Sequence, residues 1–155
     1  MKLKLNYLII PAIILLIAFT GKFLTESGMN WYHTISLPDL APPGWFIGIV
    51  WQIIYVMVAA SLLIVWNRLR GARHFWTIIA FFVCNGILNL AWSFCFFYNQ
   101  SIQPAIGISA GIAATVGILI ALIWPLNKLA ASLLIPYFCW VSFATYLNVL
   151  IAQLN

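Results

Sequence analysis

The sequence specifies an all-α membrane protein, a bundle of five transmembrane helices with a long structured first loop. Two observations carry that reading. Five apolar stretches with no charged side chain, residues 5–21, 45–66, 75–98, 104–124 and 129–154, make up almost the whole chain. Each has about the 17–25 residues that a helix rising 1.5 Å per residue needs to cross a bilayer core. The composition agrees: 65% of residues are hydrophobic and 6% charged, where a soluble domain carries roughly 25% charged. Lipid admits only helices and closed barrels, and these continuous apolar runs lack the alternation of barrel strands. Residues 1–155 leave room for one such domain and no second.

The first stretch follows Lys2 and Lys4 and contains Pro11, which should bend the helix or free a carbonyl. A cleaved signal peptide is the competing reading. Ala18-Phe19-Thr20-Gly21-Lys22 is a poor small-x-small cleavage site, so the stretch is read as a retained helix. The loop that follows, residues 22–44, carries Trp31, Tyr32, His33, Pro38, Asp39, Pro42 and Pro43. That mix is too aromatic and rigid for a flexible linker, and loops of this length tend to be lids or binding loops. The other connections are short: a basic turn at 68–74, a polar one at 99–103 and a hinge at 125–128.

Charge sets the orientation. Lys2, Lys4, Arg68, Arg70, Arg73 and Lys128 fall on one side of a five-span chain, opposite Lys22, Glu26 and Asp39. Cations concentrate on the cytoplasmic side, so the N-terminus is expected inside. The net charge of +5 is thereby explained without nucleic acid; the basic residues orient the chain and stand where lipid headgroups lie. Cys84, Cys95 and Cys139 all lie within spans without CxxC spacing, which argues against a disulfide or metal site. His33 reads better as a solvated loop residue than as a haem ligand.

Trp45, Trp66, Trp76 and Trp124 sit at span ends, where an interfacial aromatic belt accounts for them. Trp51, Trp92 and Trp140 lie deeper. Trp51 and Tyr55 share a helical face with Ile47 and Gly48 a turn above; Asn85, Asn89, Trp92 and Phe96 form a second stripe; Trp140, Ala144, Leu147 and Asn148 form a third. Asparagine in hydrocarbon needs a partner, so these stripes should face the bundle interior. Interhelical packing with polar glue is one explanation for each stripe alone. Three together beneath a rigid loop favour a pocket for a large planar aromatic ligand, held by stacking. In the fourth stretch Gly107, Gly111 and Ala114, flanked by Ala110, Ala113 and Gly117, permit close helix approach, within the chain or across a homodimer. Ala80 and Cys84 offer a second such surface.

Three motifs are recognisable. Pro42-Pro43-Gly44-Trp45-x5-Trp51-x3-Tyr55 resembles the second-span signature of the translocator protein family, the tryptophan-rich sensory proteins once called peripheral benzodiazepine receptors. Asn89-Leu90-Ala91-Trp92-Ser93-x2-Phe96-Phe97 resembles its third-span motif, and Pro136-Tyr137-x2-Trp140-x2-Phe143-Ala144-x2-Leu147-Asn148 its fifth. The resemblance runs from the first loop to the end. It implies a bacterial-type, homodimeric protein of the plasma membrane that needs no cofactor and takes porphyrins such as protoporphyrin IX, or benzodiazepine-type and isoquinoline carboxamide ligands. Carried over residue by residue, the ligand site is Ile47, Gly48, Trp51, Tyr55, Asn89, Trp92, Trp140, Ala144, Leu147 and Asn148. Light-dependent porphyrin degradation would use Trp51 and Trp140 as redox partners of the excited ring. Leu40 stands where the family often has tryptophan, and residues 149–155 lack the tyrosine and cation of the animal cholesterol-recognition pattern.

Three function classes stay open: a ligand-binding sensor, a transporter of tetrapyrroles or other hydrophobic small molecules, and a photochemical enzyme. No nucleophile–base pair or phosphate loop supports hydrolytic or phosphoryl chemistry. The cation asymmetry predicts that a reporter fused at Asn155 is active only when it works outside the cytoplasm; activity confined to the cytoplasm contradicts either the orientation or the span count.

Overall fold

The structure is a computed structural model that describes residues 5–155, so Lys2 and Lys4, on which part of the orientation argument rests, lie outside the described residues. Five helices long and apolar enough to cross a membrane are present, Asn6–Ser27, Gly44–Arg68, Phe75–Tyr98, Ile102–Ile123 and Lys128–Leu154. In finer detail the elements are α1 (Asn6–Ser27), α2 (Met29–Tyr32), α3 (Gly44–Arg68), α4 (Phe75–Ser93) with a π-helical extension Phe94–Tyr98, α5 (Ile102–Ile123), α6 (Lys128–Ser132) and α7 (Ile135–Leu154).

Two boundaries differ from the hydropathy reading. The first apolar run ends at Lys22, but α1 continues to Ser27. Lys22 and Glu26 pair across one turn at 3.5 Å on an exposed face, and the Thr25 hydroxyl donates to the Gly21 carbonyl at 2.9 Å. Charge ends an apolar run without ending a helix. The lid loop therefore begins at Gly28. The last run, expected as one helix, is broken in two. Asn127 caps α6 by accepting from the Ala130 N–H at 2.9 Å. Pro136 has no N–H and is best accommodated in a first turn, which it occupies in α7. Helix α1 runs on through Pro11, whose missing N–H cannot serve the Tyr7 carbonyl.

The helices form a ring. Helix α1 lies against α3, α4 and the π-helical segment, α4 packs along α5, α5 along α7, and α6 closes onto α3. Small side chains make the α6 closure possible: Ala130 and Ala131 are wholly buried, and the buried Ser61 hydroxyl donates to the Ala130 carbonyl at 2.8 Å. The main core joins Ile54, Val58 and Val65 of α3 to Phe82, Val116 and Val141. The exterior is apolar where that of a soluble bundle is polar, and the apolar core admits several amides and hydroxyls. Asn85, Asn89, Asn148, Ser61 and Thr115 are buried, while Leu8, Leu16, Phe19, Phe23 and Val56 face outward. Lipid, which solvates hydrocarbon and no amide, is the medium that makes this arrangement favourable.

On α5, Gly111 packs within the chain, with a Cβ there 3.6 Å from Leu88 Cδ1, whereas nothing stands within 4 Å of a Cβ on Gly107. Gly107, Ala110 and Ala114 are exposed, as are Ala80 and Cys84 of α4; Cys139 is exposed and Cys95 half-buried. Four of the tryptophans sort as belt residues should, with Trp45, Trp76 and Trp124 exposed and Trp66 half-buried at a helix end.

The lid is a built structure. Trp31 meets Phe96 edge-on at 5.6 Å, and Tyr32 lies 5.5 Å from Phe97, so α2 is seated on the π-helical segment. Further along, Ser36 and Asn155 exchange two hydrogen bonds of 2.9 Å, tying the lid to the end of α7. Burial raises the Tyr32 phenol above its ordinary value. Its contribution to lid docking is therefore complete below its ordinary pKa and is lost as pH rises through the raised one.

Seating the lid requires Gly28. A Cβ there would overlap the Phe97 carbonyl and come within 2.8 Å of its Cα, a backbone that cannot swing aside. Gly28→Ala should destabilise the protein by about 1–3 kcal/mol, as overpacking does. Gly44→Ala is the comparison, because a Cβ at Gly44 meets nothing within 4 Å. Thermal unfolding in detergent decides: equal loss in the two variants contradicts the close approach.

Candidate ligand-binding site

The interior of the ring is organised by four polar side chains at mid-depth. Tyr137 of α7 donates its hydroxyl proton to Asn85 Oδ1 at 2.8 Å and accepts from Asn89 Nδ2 at 2.6 Å. Asn85 Nδ2 donates to Thr115 Oγ1 of α5 at 2.9 Å, and Asn89 Nδ2 also donates to the Asn85 carbonyl at 2.9 Å. The network ties α4, α5 and α7 together. It also shows why α4 can carry two asparagines: the amide nitrogen of each finds an acceptor across the bundle or along its own helix. Every bond of Asn89 runs through Nδ2, which leaves its Oδ1 as an available acceptor.

Aromatic rings line the interior on the lid side of this network. Trp51 lies 5.7 Å from Tyr55 and 6.0 Å from Tyr137, the latter nearly edge-on at 68°. Trp140 lies 6.2 Å from Phe46 and 5.8 Å from Phe143. Helices α3 and α7 thus meet through large rings. Trp92 stacks on Phe96 at 5.2 Å and 9°, with Phe97 edge-on at 5.7 Å. The π-helical turn presents Phe96 and Phe97 together, and wide turns of this kind recur at functional sites. Two donors in this region lack acceptors: Trp92 Nε1 and Trp140 Nε1 are both buried without a hydrogen bond. Leaving a buried donor unmet costs about 1–3 kcal/mol.

The ten residues expected at the site distribute as follows. Trp51, Tyr55, Asn89 and the intervening Tyr137 form one contiguous group. Ile47, Trp92, Trp140, Ala144 and Leu147 are half-buried, Gly48 is exposed, and Asn148 is buried with its Nδ2 donating to Ser109 Oγ at 3.3 Å. A cavity of about 690 Å³ lies toward the basic end, between α1, α3 and α4, and takes in only Tyr55 and Asn89 of the ten. Beside the lid, a depression of about 350 Å³ separates Leu37–Asp39 from Leu150, Gln153 and Leu154. Tyr137 was legible as a motif residue, three positions before Trp140, but not as the centre of the network. Gly21 of α1 carried no signal; a Cβ there would stand 3.8 Å from both the Tyr55 hydroxyl and Ser93 Oγ.

A ring of five apolar, span-length helices around an aromatic, amide-bearing interior defines a class: an integral membrane helical bundle. Comparison with known proteins makes the class specific. The TspO/MBR family matches residues 9–154, and the chain belongs to that family. It is 34% identical over 144 residues to the tryptophan-rich protein TspO of Chlorobaculum tepidum, covering 91% of this chain and 90% of the relative. Identity to the tryptophan-rich protein TspO of Bacillus cereus is 33% over 138 residues, 88% of each chain. The human translocator protein is 31% identical over 137 residues, 84% of this chain and 78% of the relative. Family membership places the chain among membrane translocator and sensor proteins.

The network makes a distinct prediction. Tyr137→Phe removes the phenol bond from Asn89 Nδ2 and from Asn85 Oδ1, leaving those two atoms only their bonds within α4, while keeping the ring. The loss should be about 1–2 kcal/mol, since interhelical bonds in lipid are weaker than a buried amide suggests. Unfolding in mixed detergent measures it, and an unchanged midpoint contradicts a structural role for the hydroxyl.

Proposed function

We propose that the chain binds a tetrapyrrole such as protoporphyrin IX, or a benzodiazepine-type or isoquinoline carboxamide ligand, in the lid-side half of the bundle. The reading also places the protein in a bacterial plasma membrane, as a homodimer with the lid outward. The observation that carries the binding proposal is the pair of buried, unpaired indole donors, Trp92 Nε1 and Trp140 Nε1. Buried polar groups in native proteins are almost always satisfied. A ligand bearing carboxylate or amide oxygens would supply the missing acceptors, and Trp51, Trp92 and Trp140 offer flat faces for its rings. Light-dependent degradation is the activity we assign to a bound porphyrin, with Trp51 and Trp140 as the oxidisable groups beside the excited ring.

Spectral titration with protoporphyrin IX, in darkness and then in light, tests both halves of the proposal. Trp51→Phe and Trp140→Phe keep an aromatic face and should lose only about 0.5–1.5 kcal/mol of affinity. Degradation should fall much further, because phenylalanine is far harder to oxidise than indole. Proportional loss of both would leave the tryptophans as mere contacts. Undiminished degradation in both variants would assign the photochemistry to porphyrin and oxygen alone.

A transporter is the second reading, favoured by one feature. The cavity toward the basic end stops at Tyr55 and Asn89, two of the residues assigned to the ligand site. A path through the bundle would therefore need to part only the layer formed by Tyr55, Asn89 and Tyr137. Porphyrin flux into liposomes above the protein-free rate supports transport, and flux equal to that rate removes it.

A further inference from the structure

The cavity toward the basic end has a chemistry of its own. Most of its wall is branched aliphatic, with Ile10, Ile14, Ile54, Val58 and Leu62 inside, while Phe82, Tyr55 and Tyr137 stand toward its inner end. Its rim residues Leu5, Ile9, Ile13, Val83 and Ile87 are exposed, so the groove opens sideways toward lipid. From Leu5 to Ile17 it follows α1 for about 18 Å at 1.5 Å per residue. Long and mainly aliphatic along α1, this groove suits a flexible hydrocarbon chain better than a stacked ring, which would want flat aromatic faces on both sides.

Among the described residues its mouth carries one charged side chain, Arg70, beside Asn6 and Trp66. Arg70 lays its guanidinium over the Trp66 ring, 5.0 Å from the centroid. Stacking uses the face of the guanidinium and leaves its in-plane N–H fork free for an oxyanion. This chain has no carboxylate to fill that fork. Its two acidic side chains are Glu26 and Asp39; Glu26 pairs with Lys22 near the far end of α1, and Asp39 lies in the lid loop. The Asn6 and Asn67 side chains bridge α1 to α3 at the same mouth, with Asn6 Nδ2 donating to Asn67 Oδ1 at 3.1 Å.

We propose that the groove is a binding site for a monoanionic phospholipid of the adjacent leaflet, with its phosphodiester on Arg70 and one acyl chain in the groove. Arginine matches a phosphate bidentately. The sideways opening lets the second acyl chain stay in the bilayer, so the lipid enters without leaving the membrane. Arg68 and Arg73 flank the site in sequence and add to the positive field at headgroup level. The bound chain ends beneath Tyr55 and Asn89. Nothing in this assignment depends on what occupies the lid-side half.

Native mass spectrometry of the full chain in detergent tests it, using phosphatidylglycerol and phosphatidylcholine with identical acyl chains. Wild type should retain one phosphatidylglycerol with a preference of about tenfold, the factor that about 1.4 kcal/mol supplies. Arg70→Gln should abolish that preference, whereas Arg68→Gln, which removes the same charge two residues away and outside the groove lining, should keep it. Ile13→Trp, a substitution on the exposed rim that fills the groove, should lose retention of both lipids. Lipid-free thermal unfolding equal to wild type certifies that each variant is folded. Equal retention of the two lipids by wild type overturns the proposal, as does an unchanged preference in Arg70→Gln. Retention by folded Ile13→Trp overturns the groove as the location, and displacement by equimolar palmitate overturns phospholipid as the occupant.

Discussion

The bundle depends on a small set of hydrogen bonds made where no water can replace them. Asn85, Asn89, Thr115 and Tyr137 join α4, α5 and α7 at the middle of the ring. Hydrocarbon provides no hydrophobic drive between apolar helices, so packing and polar contacts must set their register. The two bonds of Tyr137 exist in one register of α7 only. A slip of α7 by a single turn would strand the phenol and leave Asn85 and Asn89 without their bonds to α7, in a medium that cannot replace them.

The same network divides the interior. On the lid side stand the aromatic rings and the two unpaired indole donors, covered by a loop that is seated on Phe96 and Phe97 and tied to Asn155. On the other side lies an aliphatic groove that opens to lipid and ends at Arg70. The two halves differ in their lining: large aromatic rings on the lid side, mainly branched aliphatic side chains on the other. Tyr55 and Asn89 stand at the boundary, lining the groove on one side and touching Trp51 and Tyr137 on the other.

Much of this was legible in the residues. Span count, the buried stripe on α4 and the structured lid follow from apolar length, asparagine placement and aromatic content, and the structure bears them out. Helix ends were less legible where hydropathy and helix propensity part company, as at Lys22, or where a proline resets the chain, as at Pro136. The aliphatic groove left no trace in the sequence. Its wall comes from α1, α3 and α4, and an isoleucine facing a groove reads the same as one facing lipid. Tyr137 likewise looked like one aromatic among many, because its partners lie 48 and 52 residues away.

The central claim is that an aromatic ligand sits on the lid side of the network. Methyl-resolved nuclear magnetic resonance with bound protoporphyrin IX tests it most directly. The account predicts contacts from the porphyrin to the Ile47, Ala144 and Leu147 methyls, and none to Ile10, Val58 or Leu62. Contacts confined to the second group would place the ligand in the aliphatic groove and contradict the division.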